Sequence, residues 1–79
     1  MNLLVVTPDQ TLFNGPIKLV QCPGTDGSFE LMDNHAALIS TLKKGKLRIV
    51  ETSGTETSID IQSGVVEISD NQVTILAEN

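Results

Sequence analysis

Two reactive side chains and one glycine-rich segment are the only features of this 79-residue sequence that could support chemistry. His35 is the single imidazole, and Asp33 lies too close along the chain to act as its partner in acid–base catalysis. Cys22 follows an apolar run, which predicts a buried and unreactive thiol. One histidine and one cysteine cannot fill a tetrahedral metal site. We therefore predict no catalytic residue and no metal site.

The segment 24–28 has the composition of a phosphate-binding loop but not its pattern. It reads Gly-Thr-Asp-Gly-Ser, whereas a P-loop requires a lysine followed by serine or threonine at the start of a helix. Glycine and aspartate together are typical of a tight turn. We predict a hairpin turn here, and neither a nucleotide site nor a cofactor.

Charge is unevenly distributed along the chain. The net charge is −5, which disfavours nucleic acid as a partner. Four of the five basic residues lie within six positions, at Lys43, Lys44, Lys46 and Arg48. Such a cluster is more often a solvated strand face than a binding site. We predict that it points outward and is partly paired with Asp60.

Cysteine content and hydropathy give expectations for the cellular compartment and for membrane association. A single cysteine excludes an internal disulfide and is typical of a reducing compartment. The N-terminal residues lack the pattern of a signal peptide, and no apolar stretch approaches the ~20 residues that span a bilayer. Membrane association is therefore expected only through another protein.

The elements that must position these residues are strands. Val, Ile and Leu supply most of the 39% hydrophobic content, Trp and Tyr are absent, and apolar residues recur with a period of two. The first half predicts strands at residues 3–7, 11–14, 17–22, 28–32, 37–42 and 46–51. Asn14, Gly15 and Pro16 are expected to form a turn between the second and third of these.

Two hairpins in the second half have a predicted register. In the first hairpin, residues 52–54 are expected to form a three-residue loop, so that the numbers of two paired residues add up to 106. In the second hairpin, Asp70 and Asn71 are expected to form the turn, because both residues tolerate positive φ. The expected pairs are Leu47 with Ile59, Lys46 with Asp60, Ile68 with Val73, and Val66 with Ile75. The resulting prediction is an all-β fold, a small antiparallel β-sandwich of about eight to ten short strands, forming a single domain over residues 1–79.

Several segments, in this order and spacing, resemble one known family. They are residues 24–27 (Gly-Thr-Asp-Gly), 35–38 (His-Ala-Ala-Leu), 42–49 (Leu-Lys-Lys-Gly-Lys-Leu-Arg-Ile), 64–67 (Gly-Val-Val-Glu) and 73–77 (Val-Thr-Ile-Leu-Ala). Over almost the whole chain, the sequence is similar to the N-terminal β-sandwich domain of the epsilon subunit of F-type ATP synthases. It departs from the family pattern at Ala37 and Lys44, where proline is usual.

The resemblance implies a non-catalytic subunit of the central stalk, which links the gamma subunit to the c-ring and couples ion-driven rotation to ATP synthesis. It further implies a peripheral position at the cytoplasmic face of the bacterial inner membrane, as part of the complex. Carried over by position, the gamma-facing residues are Thr7, His35 and Ser40. The turn facing the c-ring consists of Thr25, Asp26, Gly27 and Ser28.

Typical family members continue into a helical hairpin that carries a regulatory switch. Because the sequence stops at Asn79, we expect a short form without a C-terminal helical domain and without that mode of inhibition. A stand-alone β-sandwich binding module is the alternative function. The absence of Trp and Tyr argues against a carbohydrate-binding module, since sugars stack on aromatic platforms.

Overall fold

The computed structural model describes all residues, Met1–Asn79, as eight strands without a helix. The strands are β1 (Asn2–Val6), β2 (Thr11–Gly24), β3 (Gly27–Met32), β4 (Leu38–Leu42), β5 (Gly45–Glu51), β6 (Glu56–Ile61), β7 (Ser63–Ser69) and β8 (Gln72–Glu78). The predicted all-β class and strand number are confirmed. The structure contains no helix long and apolar enough to cross a membrane.

The long strand β2 belongs to both layers of the sandwich. Its first half pairs with β1, and its second half pairs with β3 and β5. The first layer therefore consists of β4, β7, β8, β1 and the start of β2, and the second layer of β3, the end of β2, β5 and β6. The β2–β5 register shifts between Ile17 and Leu19, where β2 passes from one layer to the other.

The turn predicted at residues 14–16 is wrong. Gly15 lies opposite Leu3 and Pro16 opposite Asn2, so β2 continues through this segment without a turn. Pairing with β1 overrides the local turn preference. Proline is tolerated because this position sits where the strand changes layers, and the next amide, that of Ile17, donates to the carbonyl of Met1 at 2.9 Å.

One ladder of the otherwise antiparallel sandwich is parallel. β1 lies beside β8 with Leu3 next to Val73 and Val5 next to Ile75. A short loop at residues 7–10 makes β1 antiparallel to β2, and β1 then fills the gap between β2 and β8. The loop at residues 7–10 therefore determines that β1 runs parallel to β8. Local sequence patterns do not indicate this parallel pairing.

Both hairpin registers predicted for the second half are confirmed. Leu47 pairs with Ile59 and Lys46 with Asp60 across the β5–β6 ladder. The four other expected partners pair in the β7–β8 ladder, Ile68 with Val73 and Val66 with Ile75. Asp70 and Asn71 have φ values of 51° and 62°, as a two-residue hairpin turn requires.

The core lies between the two layers and is entirely apolar. It contains 15 buried hydrophobic residues and no buried polar or charged side chain. The first layer contributes Leu3, Val5, Leu42, Val66, Ile68, Val73, Ile75 and Ala77, and the second Ile17, Val20, Cys22, Leu31, Leu47, Ile49 and Ile61. Alternate residues of each strand point away from this core and form the two outer surfaces.

The loops collect at two opposite ends of the sandwich. At the turn end, residues 25–28 lie beside the β4–β5 connection, since the amide of Lys43 donates to the carbonyl of Pro23 at 2.9 Å. At the histidine end, the segment 33–37 lies beside the β7–β8 turn, because the amide of Asn34 donates to Oδ1 of Asn71 at 2.9 Å.

Candidate protein-docking surface

The outer surface of the first layer carries a row of apolar side chains. Val6 of β1, Leu76 of β8 and Val65 of β7 are neighbours in one row across three strands, and all three point away from the core. Leu76 is 59% exposed and Val65 is 39% exposed. Branched apolar side chains that face solvent in a continuous row are typical of a surface that another protein covers.

The next row across the same strands extends this surface. It consists of Leu4, Thr74, Glu67 and Ile39, in that order. Ile39 is the most exposed large apolar residue of the chain, at 71%. We define the outer apolar face as Leu4, Val6, Ile39, Val65 and Leu76. A shallow cavity of about 190 Å³ lies on it, between Ile39 and Leu76.

The outer surface of the second layer is polar and its charges are paired. Lys46 Nζ lies 3.0 Å from Asp60 Oδ1, as predicted. The guanidinium of Arg48 lies 3.1 Å from a carboxylate oxygen of Glu56 and 3.4 Å from one of Glu30, and its Nε donates to Gln21 at 3.0 Å. Lys46 and Arg48 thus point outward and are paired within this surface, whereas Lys43 and Lys44, in the β4–β5 connection, form no ion pair.

A groove continues the outer apolar face toward the turn end. Its volume is about 580 Å³. Its lining consists of Val6, Thr7, Pro8, Thr41, Leu42, Ser63, Gly64, Val65, Leu76, Ala77 and Glu78. Three of these, Val6, Val65 and Leu76, also belong to the outer apolar face, so groove and face form one continuous surface.

The three residues predicted to face gamma do not form one cluster. Thr7 lines the groove, and its Oγ1 accepts hydrogen bonds from the amides of Asp9 and Gln10 at 3.3 and 3.2 Å. His35 is exposed at the histidine end, with Nδ1 2.8 Å from the carbonyl oxygen of Ala36. Ser40 lies between them along β4. Because it pairs with the buried Val66, its side chain is on the inner side of the layer and half-buried.

The predicted turn at residues 25–28 is present and exposed. Gly24 pairs with Gly27, which has a φ of 133°, so Thr25 and Asp26 form the tip. A Cβ on Gly24 would lie 2.5 Å from the carbonyl oxygen of Gly27, which explains the first glycine. Thr25 ties the turn to β4 through its amide and Oγ1, 3.1 and 3.0 Å from the carbonyl oxygen of Thr41.

The outer apolar face was not identified from the sequence, although a signal for it exists. A strand with one solvated face alternates apolar and polar residues, whereas consecutive apolar residues indicate that both faces are covered. Such runs occur at residues 3–6, 38–39, 65–66 and 75–77. In each run, at least one residue belongs to the outer apolar face. At least one other residue of the run points inward and is buried or half-buried.

The reactive groups of the chain are not assembled for catalysis. Burial raises the pKa of the Cys22 thiol to about 12, so it stays protonated at neutral pH. No three His, Cys, Asp or Glu side chains lie close enough to hold a metal ion.

Sequence comparison assigns the family. The profile of the ATP synthase delta/epsilon chain β-sandwich domain matches residues 1–79. The chain belongs to this family. Its relatives include the ATP synthase epsilon chain of Chlorobium limicola, 39% identical over 75 residues, which are 95% of our chain and 85% of that protein. That of Caulobacter vibrioides is 35% identical over 79 residues, covering 100% of our chain and 91% of the relative.

Some family members are considerably longer than this sequence. The epsilon chain of a Nitratiruptor species is 41% identical over 78 residues, and the match covers 99% of our chain but 60% of that protein. The resemblance to the epsilon subunit that the sequence motifs indicated is therefore confirmed across the β-sandwich domain.

Two solved structures have the same fold at low sequence identity. A chain of the Euglena gracilis mitochondrial ATP synthase superposes with a TM-score of 0.90 at 18% identity, over 98% of our chain and 49% of that chain. A chain of the Tetrahymena thermophila central stalk and c-ring superposes with a TM-score of 0.81 at 20% identity, over 100% and 63%. Our chain thus spans 49% of the first of these two chains and 63% of the second.

Proposed function

We propose that this protein is a non-catalytic central-stalk subunit of an F-type ATP synthase, where it links the gamma subunit to the c-ring and helps couple ion-driven rotation to ATP synthesis. It would be held at the cytoplasmic face of the bacterial inner membrane through these partners alone. Family membership supports the assignment to ATP synthase. The outer apolar face is the observation that carries the docking role, because exposed apolar patches on small domains mark binding sites.

The positions of the two proposed contact regions are compatible with a linking role. The outer apolar face, which we assign to gamma, covers one side of the sandwich. The turn formed by Thr25, Asp26, Gly27 and Ser28, which we assign to the c-ring, projects from the turn end. Two different partners could therefore bind at once without competing for the same residues.

Equilibrium binding to purified gamma subunit tests the first contact. We expect Leu76→Glu to weaken binding at least ~10-fold, because it places a charge in the centre of the apolar contact. The matched control is Met32→Glu, which changes another exposed apolar residue, 53% exposed, on the outer surface of the second layer. His35→Glu tests the predicted contact at the histidine end. Ser40→Glu is not informative, since Ser40 points toward the core.

Three outcomes separate the hypotheses. Loss of gamma binding in Leu76→Glu but not in Met32→Glu supports the stalk assignment. Equal binding by both variants contradicts the assignment of the outer apolar face to gamma. A chain that stays monodisperse and has no affinity for gamma at all supports a stand-alone binding module instead.

A further inference from the structure

We infer that the groove at the turn end is an anchor site for a segment of the gamma subunit in which an aliphatic or aromatic side chain is followed by lysine or arginine. This inference rests on the proposed function, and it specifies the chemistry of the segment that the groove would accept.

The floor of the apolar part of the groove is formed by core residues of the domain. Leu42 and Ala77, which are only 4% and 3% exposed, form part of its lining. Gly64 also lines it, and a Cβ there would approach the carbonyl oxygen of Leu76 to 2.8 Å, so this position must stay without a side chain. An apolar side chain that entered the groove would therefore pack directly against core residues, as anchor residues do at protein interfaces.

The groove continues into a polar cavity that carries only negative charge. This second cavity, of about 210 Å³, shares Thr7, Pro8 and Glu78 with the groove and adds Asp9. Glu78 accepts a hydrogen bond from Ser63 at 2.7 Å, and neither carboxylate has a cationic partner. No lysine, arginine or histidine lines either cavity. A cation directly beside the apolar anchor is the complementary group.

A second copy of this chain does not have the required pattern. Its exposed large apolar residues are Met32, Ile39, Val65 and Leu76. They are followed by Asp, Ser, Val and Ala, and none by a basic residue. The apolar residues that do precede a cation, such as Ile17 and Leu47, are buried in the core. The occupant therefore has to come from a different protein.

Affinity for purified gamma tests the groove with two kinds of variant. Ser63→Trp fills the apolar part and also removes the hydrogen bond to Glu78, and Ser58→Trp on the second layer is its control. Asp9→Asn with Glu78→Gln removes the negative charge, and Glu56→Gln with Asp60→Asn is the control with the same change in net charge. We expect Ser63→Trp to weaken binding at least ~10-fold. The Asp9 and Glu78 double variant should weaken it several-fold and flatten its salt dependence.

Photo-crosslinking identifies the occupant directly and does not depend on Ser63→Trp remaining folded. Benzoylphenylalanine at position 63 is irradiated with purified gamma, and the captured peptide is sequenced. An apolar residue followed by lysine or arginine supports the inference, whereas capture of a second copy or of a gamma segment without that pattern overturns it. Unchanged affinity in both groove variants, with Leu76→Glu still defective, overturns the inference alone. If Leu76→Glu also binds normally, the assignment of the outer apolar face to gamma fails as well. Only an unsubstituted chain without any affinity for gamma contradicts the proposed function itself.

Discussion

Val65 and Leu76 lie directly opposite each other across the β7–β8 ladder, and both point to solvent. The adjacent pair of the same ladder, Val66 and Ile75, is fully buried. Two neighbouring cross-strand pairs of apolar residues thus have different environments, one in solvent and one in the core. One pair stabilises the domain, and the other remains available to a partner.

This contrast predicts different costs for similar substitutions. Ile75→Ala should lower the free energy of unfolding by about 2–5 kcal/mol, because it opens a cavity in the core. Leu76→Thr should change it by less than about 0.5 kcal/mol, since the side chain is exposed. Urea denaturation of the isolated domain measures both. A large loss of stability in Leu76→Thr would mean that the outer apolar face is part of the core.

Gly24→Ala should be strongly destabilising, by about 1–3 kcal/mol, because the new Cβ would lie 2.5 Å from the carbonyl oxygen of Gly27 and 2.7 Å from the ring of Phe29. Gly15→Ala is the control. Its Cβ would meet the ring of Phe13 at an ordinary 3.8 Å, and the backbone there is extended. In thermal unfolding, the melting temperature of Gly15→Ala should stay close to that of the unsubstituted chain, and that of Gly24→Ala should be lower. A lower melting temperature for Gly15→Ala than for Gly24→Ala would contradict the described hairpin geometry.

Cys22 predicts a loss of stability at alkaline pH. The folded protein holds the thiol proton up to a pKa of about 12, whereas an exposed thiol has a pKa of about 9.0. Between these values the unfolded chain binds fewer protons, so the free energy of unfolding falls as pH rises, by up to about 1.4 kcal/mol per pH unit. Cys22→Ala should show a shallower decline over the same range in denaturant titrations. If the free energy of unfolding falls equally with pH in both proteins, the Cys22 thiol does not contribute to the decline.

Arg48→Gln and Lys46→Gln should leave gamma binding unchanged, because both side chains belong to the outer surface of the second layer. Each ion pair involved is partly exposed and contributes at most about 1 kcal/mol to stability. Denaturation at low and high salt, together with gamma affinity, measures the two effects. A marked loss of affinity would assign this surface a binding role.

A cysteine in the turn can test the c-ring assignment. We expect a Ser28→Cys variant carrying a thiol-linked photo-crosslinker to capture a c-ring subunit in the assembled synthase. Cys22 should not react, because it is fully buried and its raised pKa keeps it protonated. Ser69→Cys, exposed near the histidine end, is the control. Equal capture from both positions would contradict the proposed orientation.

Local sequence signals predicted the hairpins but not the pairings between distant strands. The Asp70 and Asn71 turn fixes its own register, since both residues accept positive φ and the flanking strands alternate. By contrast, Gly15 and Pro16 form a continuous strand because β1 pairs with them from elsewhere in the chain. The predicted gamma residues were transferred from a family pattern one at a time, without use of the alternation along β4, which places Ser40 on the same face as Leu38 and Leu42.

The continuity of β2 has a mechanical consequence. Its last residue, Gly24, adjoins the exposed turn, and its first half is paired with the strand that carries Leu4 and Val6. A load applied at the turn therefore passes along one covalent backbone and one ladder of hydrogen bonds to the opposite layer. The two layers cannot slide past each other without breaking that strand's pairing, so the domain should respond to torque as a single stiff body.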